Sequence, residues 1–137
     1  MPDVLSPSSL STAGVLLLSI LAIEFGGYYM LKIVRGRAPV TEFQHNFARA
    51  GHAHAGVLVT LALVCQLFVD AADMSGLAEQ IARNGVPFAA ILMSAGFFFS
   101  SMGKGATKPN GFIALLYAGT VSLALGVAFL GYGLITA

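Results

Sequence analysis

Four long apolar runs, Ala13 to Leu31, Ala53 to Val69, Val86 to Gly103 and Gly111 to Thr136, take up most of this 137-residue chain. The hydrocarbon core of a bilayer is about 30 Å thick and needs about 20 apolar residues per crossing helix, so each run reads as a membrane span. Short alternating strands of a β-barrel are absent from the pattern. With 57% hydrophobic and 9% charged residues there is too little polar side chain to clothe a soluble domain. The expected fold is all-α: a four-transmembrane-helix bundle forming one domain over residues 1–137.

The loops between the runs support that count and orient it. Lys32, Arg35, Arg37 and Arg49 fall between the first two runs and Lys104 and Lys108 between the last two, whereas Asp70, Asp73 and Glu79 face Arg83 alone in the remaining connection. The positive-inside rule then predicts cytoplasmic basic loops and both termini outside. Thr41-Glu42-Phe43-Gln44 has capping-box spacing, so the second helix is expected to begin near Glu42, ahead of its span. Asn84-Gly85-Val86-Pro87 reads as a turn with proline in the first turn of the third helix, and Lys108-Pro109-Asn110-Gly111 as the entry to the fourth. Leu77 and Ile81, four apart, fit either a short amphipathic surface helix between Met74 and Arg83 or an irregular loop before that turn. The first residues lack the basic region of a cleaved signal peptide, so the first run is expected to remain as a span.

A repeat is discernible when Gly27-Tyr28-Tyr29 through Arg35-Gly36 and Pro39 is laid over Gly96-Phe97-Phe98 through Lys104-Gly105 and Pro109. It would make the bundle two parallel helix-hairpin repeats. The fourth run, with Gly119, Ser122 and Gly126 on one face, is a helix-packing surface of the small-xxx-small kind.

Polar residues inside a bilayer are expensive and mark functional candidates. Here they are Glu24 in the first run and His52 and His54 at the start of the second. With about 3.6 residues per turn, His52 and His54 project about 200° apart, which disfavours chelation of one ion by both. On that period His45, Arg49, His52, Gly56, Val59, Leu63 and Gln66 form one stripe, expected to face the bundle. Phe47, His54, Val57, Leu58, Leu61, Cys65 and Phe68 form the opposite face, expected to meet lipid or another subunit. Glu24 and His52 are at similar depths, so a polar lock between them is the central expectation. They are also the candidate ligands for a transition metal. His54 is the candidate axial ligand for a haem b shared with a partner, and a Glu24–His52 proton exchange would suit a small proton-linked transporter. His45 and Arg49, with His54, are candidates for partner or lipid-headgroup contact. Cys65, the single cysteine, is expected to be a buried thiol.

The run Phe47-Ala48-Arg49-Ala50-Gly51-His52-Ala53-His54-Ala55-Gly56, with Asn84-Gly85-Val86-Pro87, resembles a family of small, uncharacterised bacterial four-helix integral membrane proteins. The resemblance implies the fold and a bacterial cytoplasmic (inner) membrane, and supplies no activity. His-Ala-His also occurs in haem-copper oxidase relatives such as nitric-oxide reductases, but this chain lacks the further helices and histidines of such a centre.

Function classes narrow accordingly. A net charge of +1 lacks the basic face a nucleic-acid partner requires. No paired-carboxylate site, Ser–His–Asp set or His-Glu-x-x-His motif is present, which disfavours an enzyme. The expectation is a non-enzymatic accessory or assembly subunit of a membrane complex, with a membrane-protein partner or a homo-oligomer around it. A haem- or metal-bearing redox component is the alternative, as is the transporter.

Overall fold

The computed structural model describes residues 5–137, which form four helices: α1 (Pro7–Val34), α2 (Glu42–Ala71), α3 (Gly76–Ser100) and α4 (Ile113–Thr136). No strand occurs among the described residues. All four helices are long and apolar enough to cross a membrane, so the chain is a multi-pass all-α membrane protein. Neighbours in sequence are neighbours in space: α3 packs most extensively on α4, α2 on α3 and α1 on α2, with a smaller α2–α4 contact. The ends of α1 and α4 that lie nearest the termini share one end of the bundle with the α2–α3 connection. The α1–α2 and α3–α4 connections lie at the other.

Local sequence explains the helix limits. Ser6 caps α1, its hydroxyl accepting from the Ser9 N–H, and Pro7 follows where a missing N–H costs nothing. Thr41 and Gln44 form a reciprocal capping box on α2. Gln44 then does a second job, because its Nε2 donates to the carbonyls of Ser101 (3.0 Å) and Gly103 (2.8 Å). The Thr41 hydroxyl donates to the Ala106 carbonyl. The start of α2 is thereby fastened to the α3–α4 connection.

The third helix departs from expectation. Asn84-Gly85 is no turn, and Met74 to Arg83 carries no separate surface helix; α3 runs unbroken from Gly76 through both segments with Pro87 in its interior. Pro87 has no N–H to give the Arg83 carbonyl four residues earlier, a loss that ordinarily kinks or ends a helix. Here Gln66 of α2 supplies the donor, its Nε2 lying 3.0 Å from the Arg83 oxygen. Gly85 is in the helix for a different reason. It lies against Gly126 of α4, and the Ser122 hydroxyl donates to its carbonyl at 2.8 Å.

The core is built of small and branched side chains at the α2–α3–α4 junction, including Ala62, Val69, Ala82, Val86 and Ala89, with the Cys65 thiol buried among them. Gly119, Gly126 and Gly133 are, with Leu130, the buried positions of α4, whereas Gly131 meets nothing within 4 Å of where a side chain would begin. Of the two basic-glycine pairs, Gly36 and Gly105 share a left-handed backbone, with φ of 67° and 69°. Gly36 directly follows the cap of α1, however, while Gly105 lies further on, inside the connection after α3.

Candidate functional site

Two polar regions stand out, one at each end of the α1–α2 hairpin. At the end nearest the termini, Arg83 is 4% exposed, although the sequence pattern puts it in a loop. It lies seven residues into α3, on the face that meets α1 and α2. One terminal nitrogen, Nη2, donates to Asp70 Oδ1 (3.0 Å) and Glu79 Oε1 (2.7 Å), and Nη1 donates to the Ser9 hydroxyl. Asp70 also accepts from the Ser6 N–H (2.8 Å) and the Ser6 hydroxyl (3.0 Å). The Ser9 hydroxyl donates onward to the Gln66 carbonyl at 3.2 Å. A cavity of about 330 Å³, lined by Leu5, Ser6, Asp70, Asp73, Glu79 and Arg83 among others, opens beside the network.

The chemistry of this node is that of a fastening. A buried guanidinium is tolerated only when paired and hydrogen-bonded, and here the pairing groups come from three helices. The sequence carries its signal: one arginine among three acidic residues, with Glu79 four residues before it on a helix and Gln66 inside an otherwise apolar run. A turn at Asn84-Gly85 hides that signal, because it puts Arg83 in the connection.

The second region surrounds the histidines. His52 of α2 packs on α1, where side chains built at Gly26 and Gly27 would meet its ring at 3.4–3.5 Å. The imidazole thus lies beside the α1 backbone at these glycines, at a distance where an added methyl would make ordinary van der Waals contact. The expected direct Glu24–His52 lock is not formed: no hydrogen bond or ion pair joins them among the described residues, and Glu24 is exposed. Depth alone puts them at comparable levels, but Glu24 is displaced around α1 from the line of contact that Gly27 occupies.

The second correction concerns His54. Its ring lies 4.9 Å from that of Phe97 on α3, and its Nδ1 is 2.7 Å from the Ala50 carbonyl. Phe47 also packs edge-on to Phe97, at 5.5 Å, and Leu58 and Cys65 are buried. Part of the face expected to meet lipid or another subunit therefore meets α3 or the core, while Val57, Leu61 and Phe68 stay exposed. Conversely the expected inward stripe divides: His52, Val59 and Gln66 turn to the bundle, while Arg49 is exposed and Gly56 has open space before it. A helix with neighbours on two sides has a wide buried arc, and an inward-or-outward reading of α2 cannot represent it.

For a cofactor, these positions offer little convergence. No group of three or more His, Cys, Asp or Glu side chains able to hold a metal occurs among the described residues. His45 is half-buried near the start of α2, and its Nε2 has no hydrogen-bond partner among the described residues. His54 addresses Phe97 of its own chain, which removes the geometric premise of a haem held between outward-facing histidines.

α1 is the least covered helix. Of its 28 residues only Ser9, Leu16 and Ile33 are buried. On one flank a groove of about 250 Å³ opens between α1 and α3 over α2, lined by Leu16, Ala22, Ile23, Val59, Ala90 and Ser94 among others. On the other flank lies Glu24. No family model, curated protein or solved structure matches this chain.

Proposed function

We propose that this chain is a non-enzymatic accessory or assembly subunit of a bacterial inner-membrane complex, with its termini outside and its basic loops cytoplasmic. The observation that carries the reading is the state of α1: apolar along its length, packed chiefly on α2, and open on both flanks. Several of the polar groups that could do chemistry are engaged. Arg83, Asp70 and Glu79 hold one another, and His54 holds a carbonyl. What remains accessible is surface suited to another membrane helix, on which close packing takes the place of a hydrophobic driving force.

The α1–α3 groove is the docking surface for that helix. Its lining is almost wholly apolar and includes the small side chains of Ala22, Ala55 and Ala90. Purification in a gentle detergent should recover a different membrane protein in fixed stoichiometry. Ala22→Phe, which fills the groove from an exposed position, should lose that protein while the bundle still folds. Recovery of the chain with no other protein, or of the same partner regardless of the Ala22 substitution, overturns the reading.

A further inference from the structure

On the flank of the α1–α2 hairpin opposite the groove, Glu24 on α1 and Arg49 on α2 are exposed charges, and neither has an ion-pair partner in its own chain among the described residues. Their placement follows from the contact of His52 with Gly26 and Gly27. Glu24 precedes Gly27 by three residues and Arg49 precedes His52 by three. A three-residue step turns a side chain about 60° from the line of contact. Because α1 and α2 are antiparallel, the same step on both turns both side chains to the same flank, away from α3. The steps run in opposite directions along the bilayer normal, separating the two positions by about 9 Å in depth. Side by side and offset, the two charges project outward in parallel and do not meet within the chain.

We propose that this flank is the interface for a second copy of the chain, with Glu24 of each copy paired to the partner subunit's Arg49. A twofold axis along the bilayer normal preserves depth and places α1 of one copy opposite α2 of the other, so each carboxylate faces a guanidinium across the interface. Such an isologous contact makes the pair twice. The glutamate and arginine side chains, extended toward each other, together reach across the offset in depth. On the α2 side of this flank the surface is small. Ala53 and Thr60 are exposed, and Gly56 has no atom within 4 Å of where a side chain would begin. The Thr60 hydroxyl is satisfied by the Gly56 carbonyl at 2.9 Å, so covering it strands no donor. Close approach of two membrane helices is favoured by this kind of surface, and an ionisable pair at membrane depth is favoured over two charges facing lipid.

The proposal goes beyond the reading of the chain as an accessory subunit and lies on a flank separate from the groove, and the test keeps the two apart. Two differently tagged full-length copies are expressed together and purified in tandem in a mild detergent. Wild-type copies should co-purify. Two Glu24→Arg copies, or two Arg49→Glu copies, place like charges opposite each other and should lose co-purification about tenfold or more. One Glu24→Arg copy with one Arg49→Glu copy restores opposite charges at both contacts, and co-purification should return. That recovery requires pairing between chains and also shows that both variants fold. Ala22→Phe copies should still co-purify with each other. Wild-type copies that fail to co-purify, or a mixed pair that recovers nothing, overturn the dimer and leave the groove reading intact. Co-purification of copies without any other protein retains the dimer and removes the accessory reading.

Discussion

A side chain on Gly85 would begin 2.5 Å from the Cα of Gly126. The backbones of α3 and α4 therefore touch at this point, which only two glycines permit, and Gly126 meets Gly85 reciprocally at 2.9 Å. Gly85→Ala must push backbone against backbone. We expect a cost of about 1–3 kcal/mol, the range for overpacking a tight core, read as a lowered thermal midpoint in detergent. Gly131→Ala, also on α4 but facing open space, should be neutral or slightly stabilising through helix propensity. Equal effects at the two sites would show that the close approach is not what Gly85 serves.

The Gln66 amide and Pro87 ring are expected to be energetically coupled. Gln66→Leu strands the Arg83 carbonyl, a buried acceptor, at about 1–3 kcal/mol. In a Pro87→Ala background the backbone gains an N–H at that position, which would serve the Arg83 carbonyl through the ordinary helix bond. The same Gln66→Leu change should then cost distinctly less. A double-mutant cycle by thermal or denaturant unfolding measures the difference. Purely additive effects would mean that Gln66 acts by filling space.

How far the sequence disclosed this arrangement depended on whether the signal was local. Helix number followed from the length of the apolar runs, and the start of α2 followed from Thr41 and Gln44, whose bonds close within four residues. Asn84-Gly85-Val86-Pro87 misled because every residue in it has a turn reading when taken locally. Its helical use depends on Gln66 and Gly126, far away in the chain, which supply the missing donor and the close neighbour. His54 misled for a related reason: periodicity assigns faces of a helix but not the neighbours those faces meet. The depth of Glu24 and His52 was legible to within a turn, whereas the rotation of one helix against the other, which decides whether they touch, was not.

Asp70 and Glu79 both pair with Arg83 but should not be equivalent. Asp70 is 13% exposed and also receives two bonds from Ser6, so it joins α2 to the start of α1 as well as to α3; Glu79 is 26% exposed and reaches Arg83 from the same helix. Removing one partner of a buried ion pair costs about 3–5 kcal/mol when the remaining charge is stranded. Asp70→Ala should approach that range, and Glu79→Ala should fall well below it because the pair is local and more hydrated. Hydrogen exchange adds a readout of location: Asp70→Ala should raise exchange at the first turns of α1, and Glu79→Ala should not. Matching exchange in both variants would rule out Asp70 as the α1 fastening.

Glu24 and His52 provide the last expectation. Glu24 has no hydrogen bond or ion pair within its chain among the described residues, so under conditions that keep the chain monomeric Glu24→Gln should alter stability by no more than about 0.5 kcal/mol. His54 both stacks on Phe97 and engages the Ala50 carbonyl. An aromatic pair alone is worth about 0.5–1.5 kcal/mol beyond its burial. His52 instead lies against α1 beside Gly26 and Gly27, with no hydrogen bond among the described residues. His54→Ala should therefore destabilise at least as much as His52→Ala, and a cycle of Glu24→Gln with His52→Ala should show no coupling. A coupling of about 1 kcal/mol between Glu24 and His52, the usual worth of a net hydrogen bond, would restore the polar lock. A His54→Ala variant as stable as the parent would mean that the Phe97 contact contributes nothing to holding α2 on α3.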